Sequence, residues 1–183
     1  MITSFDNYIV GSRESIDELE VLTPDQLGVR LHSEVRKGSY DIQYMQDLLD
    51  VGCPIDIRDS YGRTALYLAS QYGMLDMAKY LFSKGADINA RSEHNWTPLH
   101  IASKMEDLKM MEFLLSNGAE VNAKMAVGRT ALHLASIYWN TSILKLLISW
   151  GADINVIDKL GYTAWAMADV EHRKAIPELN PNA

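Results

Sequence analysis

The sequence lacks paired cysteines, long apolar runs and an excess of basic charge. Its single cysteine, Cys53, excludes an internal disulfide framework and fits a reducing compartment. Apolar runs are short, as at Leu146–Ile148, so the sequence predicts no membrane-spanning helix. The start, Met1–Asp6, has neither the basic nor the apolar region of a signal peptide. We therefore expect a cytoplasmic protein, or one that a bacterium delivers unfolded into a host cytosol.

Acidic side chains outnumber basic ones, and their excess is uneven along the chain. The sequence has 17 Lys and Arg against 24 Asp and Glu, a net charge of −7. Residues 1–26 hold six acids and one arginine, which leaves 16 basic and 18 acidic side chains in the remainder. Non-specific binding to nucleic acid needs a basic field that displaces counterions. The charge pattern therefore predicts that nucleic acid is not a partner, and the short apolar runs predict the same of membranes.

What the sequence does contain is a repeat with a period of 33 residues. The residues that recur at this interval are Thr64, Thr97, Thr130 and Thr163; Gly52, Gly85, Gly118 and Gly151; and Asn89, Asn122 and Asn155. A fixed period in this range is typical of stacked-repeat proteins, in which each unit buries its apolar surface against its neighbours.

Two short stretches carry a family resemblance. Thr97–Ala102 reads Thr-Pro-Leu-His-Ile-Ala, and Gly85–Ala90 reads Gly-Ala-Asp-Ile-Asn-Ala. Both resemble the ankyrin repeat, and the resemblance covers about Leu31 to Ala168. It implies an all-α ankyrin-repeat solenoid, in which each unit has two antiparallel helices and a β-turn.

The repeats divide the chain into three parts. Residues 1–22 are an acidic N-terminal extension, 23–176 the repeat domain and 177–183 a C-terminal tail. The units span about 23–58, 59–91, 92–124, 125–157 and 158–176. The first unit is diverged, the next three are full, and the last is a capping half-repeat. Atypical end units are expected of a repeat array, because each has only one neighbour.

Local patterns predict the elements of these units. First helices are expected over about Thr64–Tyr72, Thr97–Met105 and Thr130–Tyr138, and a strand-like Asp87–Asn89 should project into the next turn. Glu34 stands where later units have alanine, a change that an end unit tolerates on its outer face.

The N-terminal extension has two interpretations. Ser15–Glu18 resembles a capping box, and Ile16, Leu19 and Leu22 recur at helical spacing. The segment is either a short amphipathic helix over the first repeat or a frayed acidic tail.

We find no pattern that predicts an enzyme. The resemblance implies that His32, His100 and His133 support turns by hydrogen bonding, which leaves His94, at a turn tip, as the histidine free for a partner. Cys53 takes the place of a repeated alanine and is expected to be a small packing residue rather than a nucleophile. No Gly-rich phosphate loop, nucleophile elbow or zinc-ligand spacing is present. We expect no catalytic residue, no metal and no cofactor.

Residues that differ between units are free to serve function. In ankyrin proteins the turn tips and first helices line a concave face that commonly binds a partner. Many of the variable residues there are aromatic, apolar or arginine, the types that dominate interface energetics. The predicted protein-binding residues are Tyr61, Arg63, Tyr72, His94, Trp96, Lys104, Met105, Val127, Arg129, Ile137, Tyr138, Trp139, Leu160 and Tyr162.

Two of these positions carry specific expectations. Arg63, Trp96 and Arg129 form one column that could grip an acidic or aromatic segment. Trp139 stands where the family usually has glycine, and it either lies on the surface or tucks into the stack.

Three functional hypotheses follow from this sequence. The first is a monomeric, non-catalytic adaptor that binds another protein through its concave face. The second is a dedicated inhibitor or regulator of an enzyme or transcription factor. The third is an enzyme or ligand-binding module, for example one that holds a nucleotide between Trp96 and an arginine.

Overall fold

The computed structural model describes residues 14–38, 41–168, 170–175 and 177–180. The helices are α1 (Ile16–Glu20), α2 (Pro24–Lys37), α3 (Ile42–Asp50), α4 (Ala65–Gln71), α5 (Leu75–Ser83), α6 (Pro98–Lys104), α7 (Leu108–Ser116), α8 (Ala131–Ile137), α9 (Thr141–Ser149), α10 (Ala164–Met167) and α11 (Val170–Ala175). A short 3-10 turn, Pro177–Leu179, follows them.

The helices form two parallel stacks. The first helices of successive units, α2, α4, α6, α8 and α10, contact one another in order, and so do the second helices α5, α7 and α9. Ala69, Ala102 and Ala135 are fully buried between first helices, where their small side chains allow close approach. The prediction of an all-α repeat solenoid is therefore confirmed.

Threonine and histidine together define the starts of α6 and α8. The Thr97 hydroxyl accepts a hydrogen bond from His100 N, and Thr97 N donates to His100 Nδ1 at 3.2 Å. Thr130 N donates to His133 Nδ1 in the same way, also at 3.2 Å. Since Nδ1 accepts, the proton of His133 is on Nε2, which donates to Tyr162 O at 3.1 Å. The turn-supporting role implied for His133 is confirmed, and His32 Nε2 makes the equivalent contact with Ile57 O at 3.1 Å.

The repeated asparagines link neighbouring turns. Asn89 donates to Gly118 O and accepts from Glu120 N, at 3.1 and 2.8 Å. Asn122 makes the equivalent pair of bonds to Gly151 O and Asp153 N. One side chain therefore satisfies two backbone groups of the following unit, which explains the 33-residue recurrence.

The segments between units are turns rather than strands. Asn89 N donates to Asp87 Oδ1 at 2.9 Å, so Asp87–Asn89 closes on itself. In the described part of the chain the β-type pairing is a single antiparallel bridge between Ile157 and Thr163. The expectation of a strand-like Asp87–Asn89 is wrong.

The N-terminal segment packs onto the first repeat as a helix. Ser15 forms both bonds of a capping box with Glu18, and Leu19 is fully buried. Glu14 accepts two bonds from Arg30, at 2.7 and 2.8 Å, and one from Tyr44 Oη at 2.9 Å. The helical interpretation holds for Ile16–Glu20, while residues 1–13 lie outside the described residues.

The two ends of the array bury more than the sequence predicted. Glu34 is buried and its carboxylate accepts from Lys37 Nζ at 2.8 Å, so it does not lie on an outer face. Cys53 is buried as predicted, and burial raises the pKa of its thiol to about 11. In the predicted tail, Leu179 is fully buried and belongs to the core.

Candidate protein-binding face

The turn tips and the exposed sides of the first helices form one surface, which we call the concave face. Backbone bonds join successive tips: Glu93 N donates to Tyr61 O, Ala126 N to His94 O, and Lys159 N to Val127 O. The tip residues of four units therefore lie side by side.

The concave face holds more than half of the exposed large apolar side chains in the described part of the chain. Eight of these fifteen side chains are predicted binding residues: Tyr61, Tyr72, Met105, Val127, Tyr138, Trp139, Leu160 and Tyr162. The highest exposure among the eight is that of Leu160, at 72%. His94 and Lys104 are also exposed, and Ile137 is half-buried. Such clustering is uncommon on a surface that only contacts water.

Arginines on this face are already paired with aspartates. Arg129 Nε lies 3.0 Å from Asp158 Oδ2, and Arg63 Nη2 lies 2.8 Å from Asp59 Oδ2. Burial raises the pKa of the Asp158 carboxyl, but hydrogen bonds from Tyr162 N and from Arg129 outweigh it and hold the pKa below its usual value. Both guanidinium groups of the column are therefore already engaged by aspartates, and contact of the column with a partner stays a prediction.

The same aspartates build the turn tips. Asp158 Oδ1 accepts from Leu160 N and Tyr162 N, at 2.9 and 3.0 Å. Asp59 Oδ1 accepts from Tyr61 N and Arg63 N, also at 2.9 and 3.0 Å. Each aspartate thus fixes the backbone that carries two predicted binding residues, while its other oxygen holds an arginine.

Trp96 is less available than the sequence suggested. Its ring is partly buried against the core and meets the His100 ring edge-on, with centroids 6.3 Å apart. Lys104 Nζ lies 5.5 Å from the Trp96 ring centroid, and the Arg63 guanidinium lies 4.8 Å from that of Tyr61. Two cation–π pairs therefore stiffen the middle of the face.

Four predicted residues meet at one cleft near the C-terminal end of the face. The cleft has a volume of about 330 Å³ and is lined by Arg129, Ile137, Leu160, Tyr162, Ala166 and Met167. It brings together a turn tip, the residues before two helix-capping threonines and the ends of two first helices. Its lining is apolar except for Arg129, whose charge Asp158 balances.

Two turns on this face hold a strained backbone. Among the residues that the structure describes, the non-glycine residues with a left-handed backbone are Asn95, Glu106 and Trp139, with φ of 58–61°. Gly73 has φ of 67° at the position equivalent to Glu106 and Trp139, so both replace a glycine that this turn favours. Glu106 accepts from Asn140 Nδ2 at 3.0 Å, and Trp139 is 53% exposed. Trp139 is thus on the surface.

Sequence reasoning missed part of this site. Ala166 and Met167 line the cleft but were assigned to the capping half-repeat, and Asp59 and Asp158 were not recognised as partners of the arginines. The available signal was an aspartate four residues before Arg63 and before Tyr162 at the same place in the repeat.

In the described part of the chain, the alternatives to this face would be a second cavity, a metal site or a membrane-spanning helix. A larger cavity of about 540 Å³, which is as open to solvent as the cleft, is lined by Arg91 and residues 120–124, outside the concave face. Among the described residues, no three His, Cys, Asp or Glu side chains are grouped to hold a metal ion. Within the same ranges, every helix is too short or too polar to cross a bilayer.

Comparison with known proteins agrees with the fold. The family model described as ankyrin repeats (3 copies) matches residues 91–158, and that described as ankyrin repeats (many copies) matches residues 48–102. Together they cover 48–158, which is more than half of the chain. No curated protein matched this sequence. The chain belongs to the ankyrin-repeat family.

Proposed function

We propose that this protein is a non-catalytic adaptor that binds another protein through its concave face. Ankyrin repeats are in general protein–protein interaction modules. The observation that carries the proposal is the concentration of exposed aromatic and apolar side chains on that face. Burying such side chains against a partner removes apolar surface from water, at roughly 25 cal/mol per Å².

The structure offers less support for the ligand-binding alternative. A nucleotide held between Trp96 and an arginine would need an open ring and a free guanidinium. Lys104 covers the Trp96 ring, and Arg63 and Arg129 are engaged by aspartates. We therefore place this function below protein binding. A thermal-shift screen with nucleotides and metal ions tests it.

An inhibitor or regulator would use the same surface as an adaptor. The two are therefore distinguished by the activity of the bound partner. An adaptor leaves the activity of a captured enzyme or transcription factor unchanged, whereas an inhibitor lowers it. We further propose that the protein acts as a monomer in a cytoplasm, which is compatible with its buried, unpaired Cys53.

Quantitative capture from a cell lysate tests the binding surface. We expect the double substitution Tyr72→Ser, Tyr138→Ser to abolish capture of the bound protein. The matched control is Trp150→Ser, which removes an exposed aromatic side chain from the end of the second helix α9. Equal capture by both variants, with unchanged melting temperatures, would contradict the proposal.

A further inference from the structure

The ends of four successive first helices differ in chemistry along the array: the first is basic and the last is apolar. The pairs there are Arg36-Lys37, Gln71-Tyr72, Lys104-Met105 and Ile137-Tyr138, of which Gln71 and Ile137 are half-buried and the others exposed. The residue after each pair has a left-handed backbone, at Gly38, Gly73, Glu106 and Trp139, with φ of 58–68°. This shared geometry places the four pairs at equivalent positions, so the change in chemistry follows the axis of the solenoid.

At the end formed by the first two units, one exposed arginine is only partly neutralised. Arg36 and Arg63 both lie 2.8 Å from the same Asp59 oxygen, so two guanidinium groups share one carboxylate. The Asp59 side chain is almost completely buried, while Arg36 is 41% exposed. Lys37 is paired with Glu34 and adds no further excess. An anionic group approaching Arg36 would therefore meet a cation that is only half compensated.

The last units present the opposite chemistry. The cleft there is lined by Ile137, Leu160, Tyr162, Ala166 and Met167, and its one charged residue, Arg129, is paired one to one with Asp158. A large apolar side chain entering this cleft would lose water without leaving a charge unpaired. Lys159 lies next to Leu160 on the turn tip and outside the lining of the cleft. It is the cation at this end of the face that competes with Arg36 for an anionic group.

We propose that the concave face recognises one polarised segment of its partner, with acidic residues over Arg36 and a large apolar side chain in the cleft beside Leu160. This proposal rests on the proposed function and adds the chemistry and direction of the partner. Helices in a stack are about 8–10 Å apart, so the two ends are about 25–30 Å from each other. An extended segment of about eight or nine residues spans that distance.

The proposal is tested by selecting binders to the full-length protein from a library of displayed random peptides. The peptides have about 12 residues, which is longer than the span requires. We expect enriched peptides to carry Asp or Glu in one half and aromatic or aliphatic residues in the other. Matched baits are Arg36→Gln, which should remove the acidic preference alone, and Leu160→Gln, which should remove the apolar preference alone. Both side chains are exposed at the altered position, so each bait is expected to fold.

Affinity of an enriched peptide gives the second measurement. We expect Leu160→Gln to weaken binding about tenfold or more, as loss of an apolar anchor does. Arg36→Gln should weaken it about two- to fivefold at low salt and have little effect at about 0.5 M salt, where exposed charges are screened.

The outcomes separate this inference from the proposed function. Two outcomes would overturn the polarised segment while leaving the concave face as the binding surface. In the first, the enriched peptides are apolar throughout. In the second, the acidic preference is lost with the Lys159→Gln bait and kept with the Arg36→Gln bait. Enrichment of no peptide, or of peptides that bind the Tyr72→Ser, Tyr138→Ser variant equally well, would overturn both.

Discussion

Trp139 has the same left-handed backbone as Gly73 in the equivalent turn, with φ of 61° against 67°. A left-handed backbone is costly for a bulky residue and costs glycine nothing in steric terms. We predict that Trp139→Gly raises the free energy of unfolding by about 0.5–1 kcal/mol, because relief of strain exceeds the added freedom of the unfolded chain. Urea denaturation measures the change.

The control for this prediction is its neighbour. Tyr138 has φ of −91°, a conformation that any residue adopts, so Tyr138→Gly should lower stability. A decrease of equal size for both variants would show that the Trp139 backbone is not strained. If Trp139 contributes to the binding face, the more stable Trp139→Gly variant should also bind its partner more weakly.

Glu106 has the same backbone strain as Trp139, but a hydrogen bond of its side chain offsets that strain. Its carboxylate accepts from Asn140 Nδ2 at 3.0 Å, which links two neighbouring units. Glu106→Gly removes the strain and this hydrogen bond together, and each contributes about 1 kcal/mol with opposite sign. We therefore expect almost no change in unfolding free energy, and a gain as large as that of Trp139→Gly would contradict this account.

Two equivalent serines should respond in opposite directions to alanine. Ser103 Oγ donates to Ala131 O at 2.9 Å, whereas buried Ser136 Oγ has no hydrogen-bond partner among the described residues. An unpaired buried hydroxyl is unfavourable by about 1–3 kcal/mol, while a typical hydrogen bond contributes about 1 kcal/mol. We predict that Ser136→Ala stabilises the protein and Ser103→Ala destabilises it, each by about 1 kcal/mol. Thermal denaturation of the pair checks the signs.

Stability should fall as the solution becomes acidic, and His100 is a principal cause. Burial lowers the pKa of His100 from 6.5 to about 4, so the folded protein holds this ring neutral. The unfolded chain takes up a proton near pH 6.5 and the folded chain only near pH 4. The contribution is therefore complete above pH 6.5 and is lost between these values, on the order of 3 kcal/mol in all.

The single substitution His100→Gln isolates this effect. The pKa values of His32 and His133 are also lowered by burial, so some pH dependence remains after His100→Gln. We expect the midpoint of urea unfolding to fall less steeply between pH 7.5 and pH 4.5 in the variant than in the wild type. Parallel pH profiles for the two proteins would exclude His100 as a source.

The sequence predicted what each repeat specifies locally. A threonine with a histidine three residues later indicates a helix cap that forms within one turn of helix. Thr97 and Thr130 therefore predicted where α6 and α8 begin. Exposure of Tyr72, Tyr138 and Leu160 also followed from their place in the repeat, because equivalent positions share the same environment.

Local sequence patterns did not predict the features that depend on contacts between units. Arg36 reaches Asp59 across 23 residues, and Arg129 reaches Asp158 across 29, so neither pair forms a local pattern. The partial burial of Trp96 depends on how α6 packs against its neighbours. These contacts decide which predicted side chains are free, and they follow from the packing geometry rather than from residue type.

The asparagine links give the array a direction. Asn89 satisfies Glu120 N, and Asn122 satisfies Asp153 N, so each turn is completed by the unit before it. Removing units from the C-terminal side frees an asparagine side chain, whereas removing them from the N-terminal side frees a backbone N–H and a backbone C=O of the next turn. Shortening this protein from its two ends therefore exposes different polar groups to water.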